Sequence, residues 1–347
     1  MQRSRVRRSS RNQNLVCKGC KPVSTAINFA KAKSKSDCLS EFHHKLGSVR
    51  RDLEEVKAEG LLAGTIENLS ALGYHYCFGL AADETLASIT TPPLAAALRC
   101  VPRQRALVFQ HCHAESAVLP WDRNDLSGAS RNRYFPAAVM QQLQLDEVAY
   151  LCSFASGCAG FLSLLLTAGG LFSAKDEEPV VCVMADSRPK GVTFDMLRER
   201  ILGSDHSSAF VLGREECGYQ LLGLNYSSTT RTLVPLMEIV KRTVEMLREL
   251  AAQLDVNLSE KDIAIHYPNI FPKAWSMVTR YLQLPRVEQI TDGMRDRAHC
   301  GATDSVISLG KVHRGERGRL HVVVNYGVRL HLGLCILAEQ KSWGADV

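Results

Sequence analysis

Along this chain, short β-branched apolar runs alternate with longer stretches whose apolar residues recur every three to four positions, the pattern of an α/β protein. The runs "RALVFQHC" (105–112), "EVAYLCSF" (147–154), "PVVCVMAD" (179–186) and "SSAFVLGRE" (207–215) predict strands. Residues 231–254 place Leu233, Met237, Val240, Val244, Leu247 and Leu250 at helical spacing with charges on the other face, which predicts a long amphipathic helix. A short strand at Ile263–Ile265 leads into His266, and "FPKAWSMVTRYLQL" reads as a helix with Pro272 in its first turn. "DSVISLGKV" (304–312) predicts a further helix, and the segments "LHVVVNYGV" and "LHLGLCILAE" predict strand, turn, strand at the end.

One stretch departs from plain patterning. In "SFASGCAGFLSLLL" (153–166) a cysteine, Cys158, stands between Gly157 and Gly160 at the mouth of an apolar helix. Glycine permits tight backbone turns and close approach of a ligand. A thiol at a helix N-terminus faces the positive end of the helix dipole, an arrangement that favours a nucleophilic thiolate. The same residue could instead be a small side chain filling a helix-packing groove. The order of elements bears on the choice: Cys158 follows one strand and His266 another, both at strand-to-helix junctions, where sites gather in α/β sheets. Cys158 is therefore the expected nucleophile and His266 its expected partner.

Composition narrows the class. The 347 residues, 46% of them hydrophobic, suffice for one large or two medium domains. Apolar stretches are broken by Gly, Ser or charge within about 18 residues, so no transmembrane helix is predicted. The twelve cysteines are scattered, several within strand-like runs such as Cys182 and Cys335, as for reduced core cysteines in a cytoplasmic protein. The net charge of +6 is uneven. Residues 1–36 hold five Arg, five Lys and no acid, +10, which leaves −4 for the rest. That segment reads as a basic, disordered tail: a nucleic-acid arm, a transit peptide or, the reading favoured, an extension without a role of its own. "CKGC" (17–20) lacks a second ligand pair at zinc spacing, and "HCH" (111–113) lacks a third ligand, so no metal site is expected.

Five segments in order carry a resemblance. "GCAGF" (157–161) resembles the nucleophile motif of the ketoacyl-ACP synthase III family. "GSDHSSAFVLG" (203–213) is similar to its Gly-rich strand, with Asp205 at the family's Asp. "IHYPN" (265–269) resembles its "PHQAN" motif, "HCGATDSVISL" (299–309) its "HGNTSAASIP" segment, and "NYGVRLHLGLCIL" (325–337) its C-terminal glycine turn. Weaker similarity runs through residues 73–98. The resemblance implies a thiolase-like fold of two similar βαβαβαββ halves stacked as five layers, α-β-α-β-α. The halves would span 37–215, with the nucleophile, and 216–347, with the catalytic histidine. It further implies a homodimer, an acyl group taken from coenzyme A or acyl carrier protein onto Cys158, no separate cofactor, and His266 in the catalytic role. Asn269 would bind substrate, Lys273 and Arg280 would meet the acidic carrier protein, and the backbone N–H groups of Cys158 and Val328 would form the oxyanion hole.

The departures from the family pattern point toward acyl transfer. The family's catalytic Asn falls on Ala302, which cannot donate a hydrogen bond to an enolate. Two residues on, Asp304 could orient a histidine as general base for a hydroxyl or amine acceptor; it could equally cap the following helix. The expectation is an acyltransferase of fatty-acid-like or secondary-metabolite biosynthesis acting on O or N. The alternatives are a decarboxylating 3-oxoacyl-ACP synthase and a non-catalytic partner subunit.

Overall fold

The computed structural model of the chain describes residues 24–28, 37–101, 103–112, 135–154, 156–171, 178–189, 191–196, 200–214, 217–229, 234–291, 293–327 and 331–340. Fifteen strands are described: β1 Ser24–Asn28, β2 Cys38–Leu46, β3 Val49–Asp52, β4 Tyr76–Gly79, β5 Ala106–His111, β6 Tyr150–Phe154, β7 Val180–Asp186, β8 Asp195–Met196, β9 Ile201–Leu202, β10 His206–Gly213, β11 Tyr219–Ser228, β12 Ile263–His266, β13 Val287–Ile290, β14 Leu320–Gly327 and β15 His331–Glu339. The helices are α1 Leu53–Ala58, α2 Ile66–Ala71, α3 Leu86–Cys100, α4 Phe135–Gln142, α5 Gly160–Leu171, α6 Leu236–Gln253, α7 Pro272–Leu282, α8 Met294–Arg297 and α9 Thr303–Val312.

The strand order repeats. One half runs β6-β5-β7-β10-β2 and the other β13-β12-β14-β15-β11. Counted in chain order within each half, both are 3-2-4-5-1. Both also share the same pairing: parallel on either side of β5 and of β12, antiparallel thereafter. The halves join where Tyr219 and Gln220 of β11 pair with Leu39 and Cys38 of β2.

Three apolar cores stack around these sheets. Phe161, Leu162 and Leu165 of α5 share one core with Val306 and Leu309 of α9, and with strands of both halves. The outer faces are covered by α3 and α4 on one half, and by α6 and α7 on the other. The result is five layers, α-β-α-β-α, with α5 and α9 in the middle. Both central helices are buried on two sides: α5 is apolar nearly all round, and α9 buries every residue from Thr303 to Leu309, polar ones included. No helix among the described residues is long and apolar enough to cross a membrane.

Two elements differ from the sequence expectation. Ser24–Asn28, within the segment read as a disordered tail, forms β1 and pairs antiparallel with β11. Helix α6 starts at Leu236 rather than near 231, because Pro235 is its N-cap with extended backbone.

Candidate active site

Strand β6 ends at Phe154, and the chain turns through Gly157, at φ +54°, into a 3-10 turn over Gly157–Ala159 that runs directly into α5. Cys158 sits in that turn, half-buried. Two close approaches fix its backbone. A Cβ on Gly160 would overlap the Gln110 side chain, and one on Gly327, at the end of β14, would lie 2.6 Å from the Ser156 carbonyl oxygen. The second half of the fold is thereby pressed against the Cys158 turn.

The group that faces the thiol is His299, whose Nε2 lies 2.9 Å from Cys158 Sγ. On its other side, His299 Nδ1 lies 2.6 Å from Asp304 Oδ2. His299 and Asp304 are almost fully buried. The local fold explains the aim of the ring. The His299 N–H donates to the Leu202 carbonyl and the Ser204 N–H donates to the His299 carbonyl, which pins the residue beside the loop before β10. Ala298 and Gly301 both take positive φ, +54° and +52°, and turn the chain sharply on either side of His299. The helix α9 then begins at Thr303, so Asp304 in its first turn reaches back to the ring.

Asp304 does not cap its own helix; Ala302 occupies the N-cap position. The Asp304 carboxylate instead accepts from Arg297, from His299, and from the backbone N–H groups of Asn269 (3.0 Å) and Cys300 (3.2 Å). Burial would raise its pKa, but the Arg297 and His299 charges and these donors outweigh burial and hold the carboxyl well below the usual carboxylate range. For His299, burial works against the charged ring. A charge on Cys158 and the Asp304 carboxylate outweigh it, and the imidazole is raised to about 10. The arrangement is a buried Arg–Asp–His relay ending on a partly accessible thiol. It can hold a thiolate–imidazolium pair, or take a proton from Cys158 and return it to a second group.

The site opens into a cavity of about 330 Å³ lined by Cys158, His299, Cys112, Asp205, His206 and Arg188, among others. Of the segment "HCH", Cys112 lines the cavity, His111 is buried at the end of β5 and His113 lies outside the described residues; Asp205 and His206 come from the segment read as the Gly-rich strand.

The expected partner, His266, is not the histidine brought to Cys158. It lies at the end of β12, fully buried, with Nδ1 2.5 Å from Ser308 Oγ and Nε2 2.9 Å from His321 Nδ1. His321 Nε2 in turn lies 2.9 Å from Glu339 Oε2. Burial, then the neighbouring His321 and Arg319, hold His266 well below its ordinary pKa. Both ring nitrogens are engaged, so the ring belongs to an internal Ser308–His266–His321–Glu339 chain. Asn269 likewise faces inward: its Nδ2 donates to the Ala298 carbonyl, 2.8 Å, and its N–H holds Asp304. It positions the relay from behind and does not line the cavity. Lys273 and Arg280 are exposed on α7. Val328 and the "CKGC" segment lie outside the described residues.

His299 is the residue that the sequence reading missed, although it opens the quoted segment "HCGATDSVISL". The signal was present: Asp304 was singled out as a group able to orient a histidine, and His299 is the histidine on the same loop.

No protein-family model and no curated protein matches the chain. Solved structures do. ChlB3, described as an acyltransferase, is similar over 88% of this chain and 98% of its own, at 17% identity and a TM-score of 0.70. 3-Oxoacyl-[acyl-carrier-protein] synthase III from Aquifex aeolicus VF5 is similar over 87% and 99%, at 17% identity and 0.66. AbyA1, a tetronic acid condensing enzyme, covers 87% and 99%, at 14% identity and 0.65. With the duplicated strand order and the five layers, these likenesses identify the fold: the chain has a thiolase-like fold, built as the 3-oxoacyl-ACP synthase III structures are.

Proposed function

We propose that this protein is an acyltransferase that forms a thioester on Cys158 and passes the acyl group to a second substrate. The observation that carries this reading is the line Cys158–His299–Asp304, with 2.9 and 2.6 Å links, at the wall of a 330 Å³ cavity. Asp304 holds the His299 ring with Nδ1–H donated to the carboxylate, so Nε2 is the nitrogen that exchanges a proton with sulfur. The thiolate attacks the thioester carbonyl of an acyl-CoA or acyl-carrier donor. The donor leaves as a thiol carrying the proton held by His299. In the second half-reaction Nε2 takes the proton of an acceptor hydroxyl or amine as it attacks, and the Cys158 thiolate departs. The oxyanion of both steps falls to backbone N–H groups, with Cys158 and Val328 the expected pair.

An oxygen or nitrogen acceptor is favoured over carbon. A decarboxylating condensation needs neutral donors toward the enolate, whereas Asp304 is an anion held behind the ring and Ala302 offers no donor. No further cofactor enters this chemistry. Two partner surfaces belong to the same reading. Lys273 and Arg280, two turns apart on one exposed face of α7, suit an acidic carrier protein. The edge strand β6 leaves Tyr150, Leu151 and Phe154 41, 40 and 52% exposed, four residues before Cys158; a second copy of the chain would cover them and close the sheet edge.

The test is the intact mass of wild type and Cys158→Ala after exposure to a panel of acyl-CoA and acyl-ACP donors. An adduct on wild type that is missing from the variant, and that a hydroxyl or amine acceptor discharges, supports the reading. No adduct from any donor overturns it.

A further inference from the structure

Arg188, in the loop after β7, lines the cavity that Cys158 lines. Its guanidinium lies over the Phe194 ring, Cζ 3.8 Å from the centroid, and Nη1 donates to the Val192 carbonyl. Nε is buried and has no hydrogen-bond partner among the described residues. The nearby carboxylate, Asp205, accepts the backbone N–H groups of Arg188 (2.5 Å) and Leu80 (2.9 Å), and its charge attracts the guanidinium without a direct ion pair among the described residues. The same cavity is lined by the apolar Val192, Met196 and Ile201 and by two carboxylates, Asp186 and Asp205.

Arg188 is partly exposed, but its buried Nε–H has lost water without gaining an acceptor, which is unfavourable by itself. An anionic oxygen entering the cavity removes that penalty, and the planar fork of arginine fits a carboxylate in two-point contact. The Phe194 face holds the guanidinium flat and limits its motion. The cavity, at the small end of the range for ligand sites, suits a short acyl group.

We propose that Arg188 makes this cavity select acyl groups that end in a carboxylate, the half-thioesters of short dicarboxylic acids. The inference rests on the acyl-enzyme reading above. On loading, the donor's C–S bond breaks, the bond between the acyl carbon and Cys158 Sγ forms, and the donor thiol leaves with its proton. The distal carboxylate is unchanged and stays against Arg188.

Two measurements test this on the full chain, in wild type, Arg188→Leu and Arg188→Gln. The first is the ratio of glutaryl-CoA to hexanoyl-CoA loading rates by intact mass. The second is the ratio of Cys158 alkylation rates by iodoacetate and iodoacetamide, which needs no thioester chemistry; the His299 charge is common to all three proteins and cancels. Within-protein ratios are insensitive to a partly misfolded variant. The expected result is a fall of about tenfold or more in the glutaryl preference in both variants, the scale of a hydrogen bond to a charged group, with a parallel fall in the iodoacetate preference. An unchanged loading ratio overturns the inference and leaves the acyl-enzyme reading standing. If glutaryl-CoA fails to load while another donor of the panel does, the inference is overturned; if no donor of the panel loads on wild type, the acyl-enzyme reading fails, and the alkylation ratio decides Arg188 alone: a fall supports an anion site there, no change overturns it.

Discussion

His299 Nδ1 and Asp304 Oδ2 lie 2.6 Å apart, with Asp304 buried behind a ring that lines the cavity and the half-buried thiol of Cys158 ahead of it. The short contact fixes which ring nitrogen faces Cys158. Asp304→Asn keeps the size of the side chain but removes its charge, and lets the amide present N–H where a carboxylate oxygen accepted. The ring then loses its enforced tautomer and the charge that supports its proton. Cys158 alkylation and acyl loading are expected to fall by about two orders of magnitude or more. His299, raised to about 10 in the wild type, holds its proton less firmly without Asp304, so the thiolate is expected to form only at higher pH. A pH series of iodoacetamide alkylation on both proteins measures both changes; equal rates and equal pH profiles would sink the role assigned to Asp304.

Acid stability follows from the same carboxylate. Its folded pKa is held below the unfolded value of about 3.9. A depressed carboxyl stabilises the fold above the unfolded pKa, and the contribution is lost as pH falls toward the folded one. Urea unfolding between pH 6 and about pH 3 is therefore expected to show a decline in wild type that is shallower in Asp304→Asn. The variant is also expected to be less stable at pH 6, since Arg297 is left as a buried charge without its partner, a loss of about 3 kcal/mol or more. Parallel curves would refute the assignment.

Much of this was legible in the chain. The strands β5, β7 and β10 announce themselves as continuous apolar runs because both faces of a sheet in a five-layer stack are covered. Cys158 was legible because glycines on either side serve no purpose for a core thiol. The partner was not. His266 has the stronger local signature, a strand end followed by a helix, and motif similarity supports it. What decides between His266 and His299 is ring direction. His266 is drawn toward Ser308 and His321, a polar chain between α9 and β14 that no local spacing encodes. His299 depends on two positive-φ residues, and one of them is Ala298, an unusual choice that propensity argues against. Asn269 was legible as a site residue but not as a support beneath the site, since only the packed fold shows which way its amide points.

The two histidines can be told apart by substitution. His299→Ala removes the group on sulfur, so Cys158 alkylation near neutral pH is expected to drop by about a hundredfold or more while the fold persists. His266→Gln breaks the chain to Ser308 and His321 and leaves buried polar atoms unmet. It is expected to lower stability by about 1–3 kcal/mol, with alkylation of the folded fraction close to wild type. Thermal unfolding and alkylation kinetics on the two variants make the comparison. A His266 variant that is stable but unreactive would return the catalytic role to that residue.

Gly327 tests whether the second half of the fold holds the nucleophile in place. It ends β14, and a Cβ there would meet the Ser156 carbonyl oxygen at 2.6 Å and the Ala159 nitrogen at 3.4 Å. Both neighbours are backbone atoms of the Cys158 turn, so they cannot rotate aside as a side-chain tip could. Gly327→Ala must push the turn away from β14 or bend β14 itself, at a cost of about 1–3 kcal/mol. Either movement changes the Cys158–His299 distance, which now stands at 2.9 Å. Reactivity is therefore expected to fall by more than the loss of stability explains, with alkylation of the folded protein at least about tenfold slower. Gly170→Ala is the matched control: it sits in the same central helix as the nucleophile's apolar run, with nothing within 4 Å of the new methyl, and is expected to leave both measurements near wild type. If Gly327→Ala alkylates at the wild-type rate, the nucleophile turn is held by α5 alone and the contact with β14 is packing without consequence for the thiol.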